Sequence, residues 1–131
     1  MKNNKSYIII DDDDIIAFLH PAVINRVDPQ ANIEVYNDAI EALNFLNELK
    51  ETNETPPDFI FLDINMPFIN GFEFVAALNK DLIDYLSFTK IIMLSSSIDT
   101  KDLERAKNEP LIRDFISKPL NVEYLSNLLG E

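Results

Sequence analysis

The sequence predicts an α/β domain built on a five-stranded parallel sheet, doubly wound, with helices covering both faces. Three observations lead there. Short β-branched or aromatic apolar runs alternate along the chain with stretches of helical period. Three of those runs, Tyr7–Ile10, Phe59–Leu62 and Ile91–Leu94, are apolar at every position, as strands buried on both faces are. Each strand-like run is followed by a helix-like stretch, which gives five β–α units.

The elements follow in order. Tyr7–Ile10 is a strand bounded by charge. The stretch 15–27 has apolar residues at 15, 18, 19, 22, 23 and 27, a helical period; Pro21 is expected to kink this helix or mark its first turn. Ile33–Tyr36 is a weaker strand, nearer the sheet edge. Residues 38–50 form a helix capped by Asn37 or Asp38, with apolar positions at 39, 42, 43, 46 and 49. Thr52–Pro57 is polar, carries two prolines and reads as a loop. After the apolar strand at 59–62, residues 71–85 are expected to form one helix with Phe72, Val75, Leu78 and Leu82 on a single face. The apolar run at 91–94 precedes a short charged helix, 99–108, capped by Asp99 and stopped near Pro110. Ile112–Ile116 is the last strand and 121–129 the last helix, with Gly130 as the glycine just past its end. No repeat or linker divides the chain, so residues 1–131 are expected to be a single domain with its core at about 6–129.

Composition narrows the chemistry. Eleven Lys plus Arg against 23 Asp plus Glu give a net charge of −12. That argues against nucleic acid, which is held by clustered Lys and Arg, and against anionic membranes. The absence of cysteine excludes disulfides, zinc–thiolate sites and thiol nucleophiles. Two glycines, Gly71 and Gly130, are too few for a P-loop or a G-x-G-x-x-G loop. One histidine excludes a multi-histidine metal site. The N-terminal lysine pair, Lys2 and Lys5, is not followed by an apolar signal segment, and no apolar run is long enough to span a bilayer. The chain is expected to be soluble and cytoplasmic, with chemistry that rests on carboxylates, hydroxyls and lysines.

Those groups fall at the ends of the strands. Asp11–Asp14 follow the first run, Asp63 the run at 59–62, Ser95–Ser97 the run at 91–94, and Lys118-Pro119 the last strand. In an open parallel sheet, ligands bind outside the carboxyl ends of the strands. Carboxylates gathered there repel: two unit charges about 4 Å apart interact with roughly 4 kcal/mol at an effective dielectric near 20. A hard divalent cation, Mg²⁺ or Mn²⁺, answers that repulsion and suits phosphoryl groups. A lysine and a hydroxyl complete the charge balance around a transferred phosphoryl group, and an aspartate can serve as its acceptor.

Four segments now make a specific pattern: I-I-I-D-D-D at 8–13, F-I-F-L-D-I-N-M-P with N-G at 59–71, I-I-M-L-S-S-S at 91–97 and F-I-S-K-P-L at 115–120. In this order and spacing they resemble the receiver domain of bacterial two-component response regulators, the chemotaxis-regulator-like (CheY-like) family, over about Ser6–Leu129. The resemblance implies a flavodoxin-like three-layer fold with strand order 2-1-3-4-5. It implies that Asp63 is the phosphoacceptor, that Asp11 and Asp12 bind Mg²⁺ (or Mn²⁺) with Asp63, and that Asn65 completes the metal shell through its backbone carbonyl. It implies that Ser95 and Lys118 contact the phosphoryl group, that Phe115 is the aromatic which turns inward on activation, and that the bond before Pro119 is cis. The implied donor is a histidine kinase or histidine phosphotransfer protein. The implied output is a downstream protein that reads the surface of the fourth helix, fifth strand and fifth helix, here 99–108, 112–116 and 121–129. Such a domain acts as a monomer or as a dimer formed on phosphorylation. It is no enzyme beyond its own phosphorylation and dephosphorylation.

Several residues stand outside that pattern. Asp13 and Asp14 are expected to favour the positive N-terminus of the first helix. Phe115 has no hydroxyl where many relatives carry tyrosine. Phe68 and Ile69 make the loop after Pro67 unusually apolar, as partner contacts or as loop packing. His20 is expected to lie away from the site. Other functions fit less well. An aspartyl-phosphate phosphohydrolase commonly has an acid two residues after its nucleophile, where this chain has Asn65, and 131 residues leave no room for a substrate cap. A flavin carrier would not place four aspartates against a phosphate. A receiver-like module that works without phosphorylation usually lacks a site residue, and none is missing here. The chain ends just past its last helix, so it is expected to act alone through protein contact or as a piece of a longer regulator.

Overall fold

The computed structural model describes residues 5–130. Lys2 and the extreme ends of the expected 1–131 domain lie outside them. The strands are β1 (Ser6–Ile10), β2 (Asn32–Tyr36), β3 (Phe59–Asp63), β4 (Lys90–Ser95) and β5 (Ile112–Ser117). The helices are α1 (Asp14–Val27), α2 (Ala39–Glu51), α3 (Gly71–Ala76), α4 (Lys80–Tyr85), α5 (Thr100–Lys107) and α6 (Val122–Leu128). All strand pairs are parallel, in the order β2-β1-β3-β4-β5.

The continuous apolar runs are explained by the two faces of the sheet. Ile8, Ile10, Ile60, Leu62, Ile91 and Met93 pack under α2, α3, α4 and α5. Their neighbours Tyr7, Ile9, Phe59, Phe61, Ile92 and Leu94 pack under α1 and α6. Alternate residues of one strand point to opposite faces, so a central strand with cover on both sides must be apolar throughout. Each such side chain contributes about 1.5–3 kcal/mol on burial. Tyr7, Phe59 and Phe61 stack on one another, with ring centroids 5.3–6.3 Å apart. β2 borders the sheet and is the most exposed strand, as its weaker pattern predicts.

Two expectations are corrected. The helix expected over 71–85 is two helices. Asn79 adopts an extended conformation, and its side chain accepts the Leu82 N–H at 2.9 Å, which starts α4 afresh. Leu78 and Leu82 remain buried on one face, so apolar period alone could not show the break. The second correction concerns α1. Ile15, Phe18 and Leu19 are exposed, and its buried residues are Ile16, His20 and Ile24. The helix is apolar nearly all round, so period did not determine which face is covered. Pro21 sits inside α1 and not in its first turn. Its ring removes the N–H that would bond to Ala17.

The caps are mostly as read. Asp38 caps α2, Asp99 caps α5, and Gly130 follows α6 at φ +78°. Asp13 caps α1 by accepting the Ile15 and Ile16 N–H groups, with Asp14 in the first turn.

Candidate functional site

The parallel topology brings four strand ends to one edge. Asp11 continues β1, its N–H bonding to the Tyr36 carbonyl at 2.9 Å. Asp63 is the last residue of β3 and Ser95 the last of β4. Lys118 follows β5; its N–H donates to the Ser95 carbonyl at 2.8 Å, and the Lys118–Pro119 bond is cis.

The side chains converge on one ammonium group. Lys118 Nζ lies 2.8 Å from Asp11 Oδ2 and 3.1 Å from Asp63 Oδ1. Both carboxylates are buried, Asp11 at 2 % and Asp63 at 4 % exposure. Each is also held by backbone: Asp11 Oδ1 accepts the Asp13 N–H at 2.9 Å, and Asp63 Oδ1 accepts the Asn65 N–H at 3.2 Å. Asp12 stands exposed at the mouth. One carboxylate oxygen from each of Asp11, Asp12 and Asp63 lies within 4.8 Å of the other two.

Charge is unbalanced there. Burial, then the charge of Asp11, push the Asp63 carboxyl up to about 6, against the opposing pull of Lys118 and the Asn65 N–H. Burial alone would lower Lys118, but its hydrogen bonds and attraction to Asp11 and Asp63 hold it above its ordinary value. Three carboxylates against one ammonium leave an excess of two negative charges. An all-oxygen donor set with that excess fits a hard divalent cation, and Asp11, Asp12 and Asp63 are the residues that would hold it.

The remaining expected residues lie on the adjoining strands and loops. The Ser95 hydroxyl donates to the Ser97 carbonyl at 2.6 Å and accepts the Ser97 N–H at 3.2 Å, so in this structure it belongs to its own loop. Phe115 lies inward at 9 % exposure, packed in the core beneath α5; phenylalanine has no hydroxyl to draw the ring toward water. The apolar loop pair separates in role. Ile69 packs against the core. Phe68 is 87 % exposed and lies at the centre of a tight turn, with φ +71° and the Ile69 N–H donating to the Pro67 carbonyl at 2.8 Å.

Sequence reasoning missed two residues. Gly71 is legible as part of the N-G pair and as a helix start, but not for its packing: it seats α3 against the Asp63 loop. Its N–H donates to the Ile64 carbonyl at 2.9 Å, and a Cβ there would meet the Asp63 carbonyl oxygen at 2.9 Å and the Ile64 Cα at 3.1 Å. His20 is not remote from the site. It is buried at 1 % exposure, Asp11 and Lys118 both act on its charge, and its Nε2 accepts the Leu120 N–H at 3.0 Å. Ile16, His20 and Ile24 recur every four residues on one helix face, but α1 is apolar on its other faces as well, so period alone does not single that face out.

No helix among the described residues is long and apolar enough to cross a membrane. The family model for the response regulator receiver domain matches residues 7–129. A two-component response regulator from Cytophaga hutchinsonii is 33 % identical, with a TM-score of 0.88 over 99 % of this chain and 96 % of its own. A chemotaxis response regulator of Vibrio cholerae is 26 % identical, with a TM-score of 0.72 over 96 % of each chain. A protein-glutamate methylesterase/protein-glutamine glutaminase of Clostridium acetobutylicum is 32 % identical over 117 residues, which are 88 % of this chain and 31 % of its own length. This chain also spans less than half the length of the uncharacterized response regulatory proteins of Vibrio and Shewanella that it matches. Fold, acidic edge and these likenesses agree: the chain belongs to the receiver domain family of two-component response regulators.

Proposed function

We propose that Asp63 accepts a phosphoryl group from a histidine kinase or histidine phosphotransfer protein, and that the modified domain changes a protein-binding surface. The observation that carries this reading is the placement of Asp63. Its buried carboxylate ends β3, touches Lys118, and lies beside Asp11 and Asp12. Its Oδ1 is engaged by Lys118 and by the Asn65 N–H, which leaves Oδ2 to attack phosphorus. The new O–P bond forms as the bond from phosphorus to the donor nitrogen breaks, and that nitrogen keeps the electron pair. Asp63 is mostly ionised above about pH 6 and is then nucleophilic. Lys118 meets the charge on the transferred oxygens.

Asp11, Asp12 and Asp63, with the Asn65 backbone carbonyl, would hold Mg²⁺ or Mn²⁺, which when bound neutralises charge on the phosphoryl oxygens. The Ser95 hydroxyl must leave the Ser97 carbonyl to reach a phosphoryl group on Asp63. That motion draws in the loop before α5. Phe115 then repacks beneath α5, and the face made by α5, β5 and α6 changes shape. A downstream protein reads that face.

The test is intact-mass measurement after incubation with acetyl phosphate and Mg²⁺. Wild type should gain one phosphoryl group and Asp63→Asn none. An equal gain by the Asn variant would place the acceptor elsewhere.

A further inference from the structure

The chain's single histidine is buried on the sheet-facing side of α1, and nothing in the phosphoryl chemistry uses it. Its Nε2 accepts the N–H of Leu120, a residue 100 positions away and itself buried. Pro119 has no N–H, so Leu120 supplies the first amide after Lys118 that can anchor this turn. The turn is thereby fastened twice: the Lys118 N–H to the Ser95 carbonyl on β4, and the Leu120 N–H to His20 on α1. α1 is also the helix whose lead-in carries Asp11 and Asp12. The bond therefore ties the segment that bears the acids to the segment that bears their counter-charge.

We propose that His20 is a positioning residue: by holding the Leu120 amide it sets Lys118 Nζ between Asp11 and Asp63. The role needs an unprotonated Nε2. Burial keeps the imidazole neutral with a pKa of about 4; Lys118 acts in the same direction, and Asp11 and Asp13 oppose it. A leucine of similar bulk would fill the space and leave the Leu120 N–H buried with no acceptor, so the turn would shift to find one. Glutamine would bring an acceptor oxygen to nearly the same place.

This inference rests on Asp63 as phosphoacceptor, and the experiment separates the two. Wild type, His20→Leu and His20→Gln are compared by the initial rate of modification with acetyl phosphate at saturating Mg²⁺, and by Mg²⁺ affinity from calorimetry. His20→Leu should slow modification about fivefold, the rate equivalent of one ordinary hydrogen bond, with Mg²⁺ affinity not reduced. His20→Gln should return to within about twofold of wild type. If leucine overpacks the site and prevents folding, His20→Val carries the same comparison. A folded apolar variant that reacts at the wild-type rate overturns the proposal. So does a parallel fall of rate and Mg²⁺ affinity in the Leu and Gln variants alike, since that is the mark of a merely structural role. If wild type takes up no phosphoryl group, the assignment of Asp63 fails, and this inference fails with it.

Discussion

Asp63→Asn should make the protein more stable at neutral pH. In wild type the Asp63 carboxyl is buried beside Asp11, and its pKa is raised from 3.8 to about 6. Between those values the folded protein keeps a proton that the unfolded chain has released. Stability from this group is therefore complete below about pH 4, falls as pH rises through the window, and is lost above about pH 6. The shift corresponds to about 3 kcal/mol against the ionised form at pH 7. Asparagine is nearly isosteric, carries no charge and can still accept the Asn65 N–H. It gives up the charge attraction to Lys118, but Lys118 keeps Asp11 at 2.8 Å. The net gain should thus be part of the ceiling, about 1–2 kcal/mol at pH 7. For a domain of this size that is a rise of several degrees in Tm. The assay is urea unfolding of both proteins at pH 7, 5.5 and 4, with chelator present to exclude divalent ions. The advantage should shrink toward pH 4, where wild-type Asp63 is protonated. A variant no more stable than wild type at pH 7, or an advantage that does not vary with pH, would refute the reasoning. Either result would mean that Lys118 fully compensates the buried charge.

Three other substitutions test the site and its supports. Asp12→Ala should weaken Mg²⁺ binding at least about tenfold, while unfolding free energy stays within about 0.5 kcal/mol, because Asp12 is exposed. Unchanged affinity in a calorimetric titration would remove Asp12 from the metal shell. Gly71→Ala should cost about 1–3 kcal/mol by urea unfolding, since the new methyl meets the Asp63 carbonyl oxygen at 2.9 Å and backbone cannot step aside cheaply. A neutral result would show that α3 is free to shift. Phe68→Gly should stabilise by about 0.5–1 kcal/mol, the relief of a left-handed conformation less the entropy glycine loses on folding. The ring is exposed, so little packing is lost; a clear drop in Tm would show that it is packed after all.

The sheet was legible because the demand on it is simple. A central strand covered on both faces needs an apolar residue at every position, and Tyr7–Ile10, Phe59–Leu62 and Ile91–Leu94 meet that demand over nearly their whole length. The acids were legible for a related reason: Asp11 and Asp63 stand at the ends of such strands, Lys118 follows the edge strand β5, and parallel topology then gathers them at one edge. What escaped notice depends on a single atom or a choice of face. The break between α3 and α4 turns on the Asn79 side chain, within an apolar period that continues across it. α1 has apolar residues on every side, so the face bearing His20 could not be chosen from period. Gly71 matters for the space it leaves empty, and a residue count cannot show that.

The energetics of the site also bear on the switch proposed for it. Burial and the charge of Asp11 set about 3 kcal/mol against the ionised form of Asp63 in the folded protein, with the opposing pull of Lys118 already counted. Even a cation that relieved all of it in one conformation and none in the other would shift a two-state equilibrium by at most about two orders of magnitude. Carrying a population from 1:99 to 99:1 takes about 5.5 kcal/mol. Charge relief at Asp63 is therefore too small to throw the switch alone, and a cation can bind without committing the domain. On the proposed reading, the balance comes from contacts that only a phosphoryl group on Asp63 would make, with Lys118 on one side and with Ser95 after it leaves the Ser97 carbonyl on the other. Hydrogen bonds to charged groups contribute about 1.5–3 kcal/mol each, and one or two suffice. On this account Ser95 separates the cation-bound state from the signalling state. Ser95→Ala should leave Mg²⁺ affinity and modification of Asp63 nearly intact while the surface of α5, β5 and α6 fails to respond.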